Sequence, residues 1–369
     1  MIKSLPLSKV RPGMVAADFV FPLSLSQPII NPNTLLTTEV IERLRMHGIY
    51  SVPVKIDDEY LIRENLLPDV EPLLSDELKI EAESGIRRLF ETVAAEASDE
   101  NYSTAHQVVK ELDNVVDQLV DTLEANPHEM VRIADLKSYD DYTYHHSLSV
   151  AVLSIAIGQS MGCNQDTMRL IGRSAIMHDI GKMFVPIEII NKPSRLTDDE
   201  FAKIKEHPRS GYEYLVAGGI GDDAIRKGVL QHHEKIDGTG YPDGVTGNEM
   251  LLISNVISVA DVYDAVTSYR SYRTPMPPAD ALELIMGSVG VAFEYDIVKA
   301  FIDKLEFYPV NTCVELSNSR VGIVLDNKSS MRPILSMLDN GEVLDLMDRK
   351  NLSIVIKRVV NDRLVADSA

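Results

Sequence analysis

From about residue 126 to residue 308 the chain repeats one pattern, helix after helix, and this restricts its fold more than any other feature. Leu148, Val152, Ile155 and Ala156 recur at the spacing of one helix face, and Met168, Ile171, Ala175 and Ile176 mark the next. Thr197-Asp-Asp-Glu200 reads as a capping box before Phe201 and Ile204, because the Glu200 side chain can reach back to the amide of the cap. Ile253 to Tyr269 predicts a further apolar helix. The class expected is mainly α.

The flanks differ from this core. Residues 1–56 read as a small α/β module: strands in Met14–Phe21, Pro28–Ile30 and Ile49–Val54, and an amphipathic helix opening at Thr37-Thr38-Glu39. Residues 57–125 form an acidic connector, helical over 75–125, with Ile86, Leu89, Phe90 and Val93 and then Leu112, Val115, Val116 and Leu119 on its apolar faces. After Pro309, Cys313–Leu316, Val321–Leu325, Ile334–Met337 and Leu352–Ile356 alternate between Asn/Gly turns and predict a short C-terminal β unit over 309–369.

Composition excludes several classes of function. Lys and Arg number 36 against 56 Asp and Glu, a net charge of −20, and half of it lies in 57–100. That balance opposes docking on long nucleic acid. The longest apolar stretch, Val150 to Ile157, is far too short for a membrane span, and the first residues lack a secretory h-region. Two cysteines, Cys163 and Cys313, make no disulfide framework. The expectation is a cytoplasmic protein.

Six of the nine histidines lie between 145 and 233, and all but His145 stand in the series His146, His178-Asp179, His207, His232-His233, followed by Asp261. A lone histidine is usually structural. Seven such residues in one helical region, with no thiolate partner, are the donors of first-row divalent metals. They are too many for a single centre that keeps positions open and suit two, with a carboxylate between them. Two ions ~3.5–4 Å apart can share a hydroxide and hold an in-line phosphoryl transition state. Gly181 allows the helix carrying His178 to end just beyond Asp179. The loop Asp237-Gly-Thr-Gly-Tyr-Pro-Asp-Gly244 follows the second histidine pair.

These motifs, His178-Asp179-Ile-Gly-Lys182, His207-Pro, His232-His233-Glu-Lys-Ile-Asp237-Gly-Thr-Gly240-Tyr241-Pro242 and Asp261-Val-Tyr-Asp-Ala, resemble the HD-GYP branch of the HD metallohydrolase superfamily. The resemblance runs from about 138 to 308. It implies a helical HD-type domain and a phosphodiesterase that opens cyclic di-GMP to the linear dinucleotide, and in some members on to GMP, with a metal-bridging hydroxide as nucleophile. It also implies two or three divalent metal ions, often iron or manganese, and the same His/carboxylate donors accept nickel or zinc. Carried over residue by residue, His146, His178, Asp179 and Asp261 would hold one ion. Asp179 would bridge to a second, held by His207, His232 and His233. Lys182 would neutralise a substrate phosphate, Arg270 and Arg273 would contact the dinucleotide, and Tyr241 would shape the pocket. The N-terminal module would serve a homodimer contact or a signalling partner.

One departure bears on the metal count. Three-metal relatives carry Glu four residues before the first metal histidine, and here that position is Tyr142, with Asp140 and Asp141 out of register. Two metals are therefore expected. A receptor or scaffold that binds the dinucleotide without turnover, or another HD-type nucleotide phosphohydrolase, are the alternatives. His145 is expected as a partly exposed neighbour of His146, and Asp264 as a residue that either orients a ligand or caps local structure.

Overall fold

The computed structural model describes residues 2–7, 10–17, 20, 28–46, 49, 51–55, 73–96, 102–127, 130–132, 142–190, 192, 194–268, 276–310, 312–327 and 331–359. The chain divides into two units. One comprises Met1–Glu71, Tyr308–Lys328 and Arg332–Ala369; the other comprises Pro72–Phe307 with Ser329–Met331.

The second unit is helical and carries the histidine series. Its centre is α4 (Tyr142–Ser160), preceded by α2 (Asp76–Glu96) and α3 (Ser103–Ala125) and followed by α5 (Gln165–Met177). Between Val150 and Ile157 every apolar residue of α4 is at most 3% exposed. The sequence reading expected one buried face. The structure buries all of them, because α2, α3, α5, α10 (Leu252–Thr267) and α12 (Tyr295–Lys304) surround the helix. A helix apolar all round belongs in such a position. Helices α2 and α3, expected as part of a connector, lie in this unit, and α3 packs on both α4 and α5.

Helix starts follow local chemistry. Asn164 caps α5 by accepting from the Thr167 amide, and Asp222 caps α9 (Asp223–Gln231) by accepting from the Ile225 amide. The capping box at Thr197 and Glu200 opens α7 (Asp198–Lys205), as the sequence predicts. The short α6 (Ile187–Ile190) precedes it, and Pro208 sits in the first turn of α8 (His207–Ala217), where its missing N–H costs no helical bond. A 3₁₀ turn, Ile180–Phe184, links α5 to this region, and α11 (Pro278–Gly287) lies between α10 and α12. Strands β4 (Val131–Arg132) and β5 (Leu305–Glu306) pair in parallel.

In the first unit, β1 (Ile2–Pro6), β3 (Ser51–Lys55) and β2 (Val15–Ala16) form an antiparallel sheet in the order β1-β3-β2, with α1 (Thr38–Met46) between β2 and β3 in the chain. Strand β1 was not anticipated. Of the strands expected over 14–21 and 28–30, the described residues hold β2 and an isolated Val20–Ile30 bridge. The C-terminal sheet has the order β10-β6-β7-β8-β9 and is antiparallel throughout. Strands β6 (Cys313–Leu316), β7 (Val321–Asp326) and β8 (Ile334–Met337) fall where alternation predicts. The last strand among the described residues is β10 (Ile356–Val359), later than expected, and β9 (Val343–Asp345) is additional. Residues 349–351, just ahead of the strand expected over 352–356, form a 3₁₀ turn, with the Asn351 side-chain amide donating to the Asp345 carbonyl at 2.7 Å. No helix among the described residues is long and apolar enough to cross a membrane.

Candidate metal centre

Five elements of the helical unit each deliver part of one cluster. Helix α4 carries His146, and α5 runs out at Met177, so that His178 and Asp179 sit at its end. Helix α8 starts at His207, α9 stops before His232 and His233, and α10 carries Asp261. Gly181 makes the approach between the 3₁₀ turn and α8 feasible. A Cβ there would stand 1.9 Å from the His207 carbonyl oxygen and 2.6 Å from the Gly211 nitrogen, both backbone atoms.

All seven sequence-predicted donors converge. His146 Nε2 lies 3.1 Å from Asp261 Oδ1 and 3.6 Å from Asp179 Oδ2, and His178 Nε2 lies 3.4 Å from Asp179 Oδ2. His207 Nε2 is 3.3 Å from Asp179 Oδ1, and His233 Nδ1 is 3.6 Å from Asp261 Oδ2. Asp179 thus faces histidines of both groups, one oxygen to each. The donors form the sets His146/His178/Asp179, His207/His232/His233 and His178/His232/Asp261, each within 4.8 Å. Donors ~2.1 Å from one ion stand about 3.0 to 3.4 Å apart in octahedral or tetrahedral arrangement, so the spacings suit shared cations.

Hydrogen bonds to the other ring nitrogens decide what these histidines offer. Nδ1 of His178, His207 and His232 each donates to the carbonyl three residues earlier: Ala175 at 2.6 Å, Ile204 at 2.7 Å and Val229 at 2.7 Å. A carbonyl only accepts, so in the neutral ring the lone pair sits on Nε2. His207 Nε2 and His232 Nε2 then face each other 3.2 Å apart. Two lone pairs at that distance repel unless a cation lies between them. His178 Nε2 and Asp179 Oδ1 are also buried without a hydrogen bond among the described residues, a costly state for polar atoms. The donor chemistry and its unsatisfied atoms fit divalent metal ions.

His146 is oriented differently. Its Nδ1 lies 2.7 Å from Asp264 Oδ2, across 118 positions of sequence. Asp264 therefore orients a donor, the first of the two roles the sequence allowed. Its signal was its place one turn beyond Asp261.

The electrostatics hold the two carboxylates ionised. Burial would raise both, but Lys182 and His178 bring Asp179 well below the usual carboxylate range, and His146 does the same for Asp261. Burial lowers His146, yet its contacts with Asp261 and Asp264 outweigh that and raise it to about 9. Burial, with the neighbouring rings, keeps His232 neutral. Lys182 Nζ lies 2.5 Å from Asp179 Oδ2.

The Tyr241 ring lies 4.7 Å from that of His233, 34° from parallel, and burial raises its phenol. Arg270, Arg273, Asp140 and Asp141 lie outside the described residues, as does the side chain of Tyr142, whose backbone opens α4. His145 corrects an expectation. It is 8% exposed, not a partly exposed neighbour, because α2 packs on that side of α4 and places Glu83 Oε1 2.8 Å from its Nδ1.

Fold and site together define a helical domain with a buried His/Asp cluster suited to divalent metal ions, and residues 118–296 match the HD domain family. Residues 118–296 thus carry an HD domain. It is similar to the cyclic di-GMP phosphodiesterase PA4108 of Pseudomonas aeruginosa, 36% identical over 213 residues, which cover 58% of this chain and 51% of that protein. It is also similar to 3'3'-cGAMP-specific phosphodiesterase 1 of Vibrio cholerae, 32% identical over 160 residues, 43% of this chain and 36% of the other. The chain thus spans about half or less of the length of these relatives. Among solved structures, Bd1817, an HDG"Y"P protein from Bdellovibrio bacteriovorus, aligns over 82% of this chain and 98% of its own, with TM-score 0.47 and 19% identity.

Proposed function

We propose that this chain is a cyclic dinucleotide phosphodiesterase that opens cyclic di-GMP to the linear dinucleotide, using two divalent ions, iron or manganese, in the cytoplasm. The observation that carries this reading is the pair of facing lone pairs on His207 and His232, set beside an ionised Asp179 that reaches both histidine groups. His146, His178, Asp179 and Asp261 would hold one ion, and His207, His232, His233 and Asp179 the other. When bound, such a pair supplies an activated water and positive charge for the phosphoryl oxygens.

The chain's own residues do the rest. Carbonyl-anchored imidazoles keep their Nε2 atoms aimed inward, so little reorganisation is needed when substrate arrives. Lys182, a compact point charge beside Asp179 with 24% of its side chain exposed, would turn from that carboxylate to a substrate phosphate. Tyr241 walls the side at His233. Arg270 and Arg273 would contact the dinucleotide, and the 1–56 module would serve a dimer or signalling contact.

The kinship to a cGAMP-specific enzyme supports a second reading, in which the substrate is 3'3'-cGAMP. Purified, metal-loaded protein incubated separately with each dinucleotide, with products separated by chromatography, tests both. Linear product from cyclic di-GMP at the higher kcat/KM is expected. Tight binding of either dinucleotide without product would make the chain a receptor instead.

A further inference from the structure

Glu234 follows the His232-His233 pair, stands in none of the donor sets, and is 1% exposed. A carboxylate at that depth needs hydrogen bonds to offset its lost hydration. Its Oε1 accepts two, from the backbone N–H groups of Asp243 at 2.7 Å and Gly244 at 3.1 Å, nine and ten residues further along. Burial raises the Glu234 carboxyl, these N–H groups act against that by favouring its charged form, and Oε2 is buried with no hydrogen bond among the described residues.

Two more contacts fold the same loop onto its own beginning. The Tyr241 amide donates to the His233 carbonyl at 3.2 Å. Gly240 lies directly on the backbone of Glu234 and Lys235, where a Cβ would come within 2.4 Å of Glu234 Cα and of the Lys235 nitrogen. Glycine is the residue that permits this approach. The loop closes as a ring whose clasp is Glu234, and that ring sets Tyr241 beside His233.

The position of that ring gives it a purpose. His233 keeps 23% of its side chain exposed, whereas His146, His178 and His207 keep 1%, 0% and 1%. The His233 side is therefore where the cluster opens. We propose that Glu234 is a positioning residue: it clamps residues 243 and 244 so that Tyr241 forms a fixed wall at the open side of the centre, and it acts on dinucleotide binding rather than on metal retention. The role in substrate binding rests on the phosphodiesterase reading; the clamp itself does not.

The test uses the full-length, metal-loaded protein. In Glu234→Ala the KM for cyclic di-GMP rises about tenfold or more while kcat changes by less than about threefold and metal content is unchanged, the signature of lost binding rather than lost chemistry. Glu234→Gln, whose amide oxygen can accept both N–H groups, brings KM back towards the natural value. Gly240→Ala, which pushes the loop off by a separate route, reproduces the Ala phenotype. Hydrogen exchange provides a readout without substrate: amides over 238–246 exchange faster in Glu234→Ala than in Glu234→Gln, while those over 146–158 do not change. Faster loop exchange in a protein that turns over no dinucleotide would leave the clamp standing and remove the phosphodiesterase reading. Unchanged loop exchange, or loss of metal in both Glu234→Ala and Gly240→Ala, would overturn the clamp.

Discussion

Asp264 Oδ2 and His146 Nδ1 lie 2.7 Å apart, so a carboxylate on α10 sets the ring of a histidine on α4 and leaves its Nε2 facing Asp261 and Asp179. Removing such an orienting carboxylate typically costs 10–100-fold in metal affinity. Asp264→Ala is expected to fall in that range for the ion that His146 would hold, with the His207/His232/His233 site little changed. Metal titration of the variant, followed site by site, checks this. Equal loss at both sites would mean that Asp264 supports the fold rather than one ligand.

Gly181→Ala places a methyl group against the backbone of His207 and Gly211, neither of which can rotate away. Overpacking commonly costs about 1–3 kcal/mol, and a backbone clash belongs at the upper end. For a unit of this size that is a fall in Tm of roughly 6 °C or more. Thermal unfolding of the metal-free variant measures it. Metal content should fall as well, because the displaced segment begins with His207.

Metal uptake should release protons. In the metal-free protein His146 is raised to about 9, so at pH 7.5 it is largely protonated, and it must be neutral to ligate. Calorimetry in buffers of different ionisation enthalpy should count about one proton from this ring. The linkage also has a sign for the metal-free fold. With the folded value above the ordinary ~6.5, the stabilisation from His146 is fully present below about pH 6.5 and is lost as pH rises through about 9. Metal-free protein with His146→Gln should lack that decline.

Helices α2 and α3 bury Ile86, Leu89, Phe90, Leu112, Val116 and Leu119 within the helical unit. A chain starting near residue 126 would uncover the surfaces of α4 and α5 against which they pack. Each large apolar side chain whose burial is lost forfeits about 1.5–3 kcal/mol. The shortened protein is expected to aggregate or to melt far below the full chain, whereas one starting near residue 72 should retain metal. Metal analysis and thermal unfolding of both fragments distinguish the outcomes.

Much of this protein is legible in its sequence. Periodicity located α4, α5 and α10, the capping box at Thr197 marked the start of α7, and the His/Asp series named seven side chains that meet in space. Those signals are local: a helix writes its period and its cap within a few residues, and a metal site needs particular donor types. Even the ring nitrogens of His178, His207 and His232 are anchored locally, by carbonyls three positions back.

Contacts between distant parts of the chain carry no such trace, and there only the tertiary structure decided. Asp264 reaches His146 across 118 positions, Gly181 is required by a carbonyl on another helix, and Glu83 meets His145 because α2 covers α4. The burial of α4 on every side, against the single face its spacing suggested, has the same origin. Residue type and spacing determine which groups a segment offers. Which of them come within 3 or 4 Å depends on how whole helices pack, and packing is settled by apolar surfaces summed over the unit rather than by any one motif.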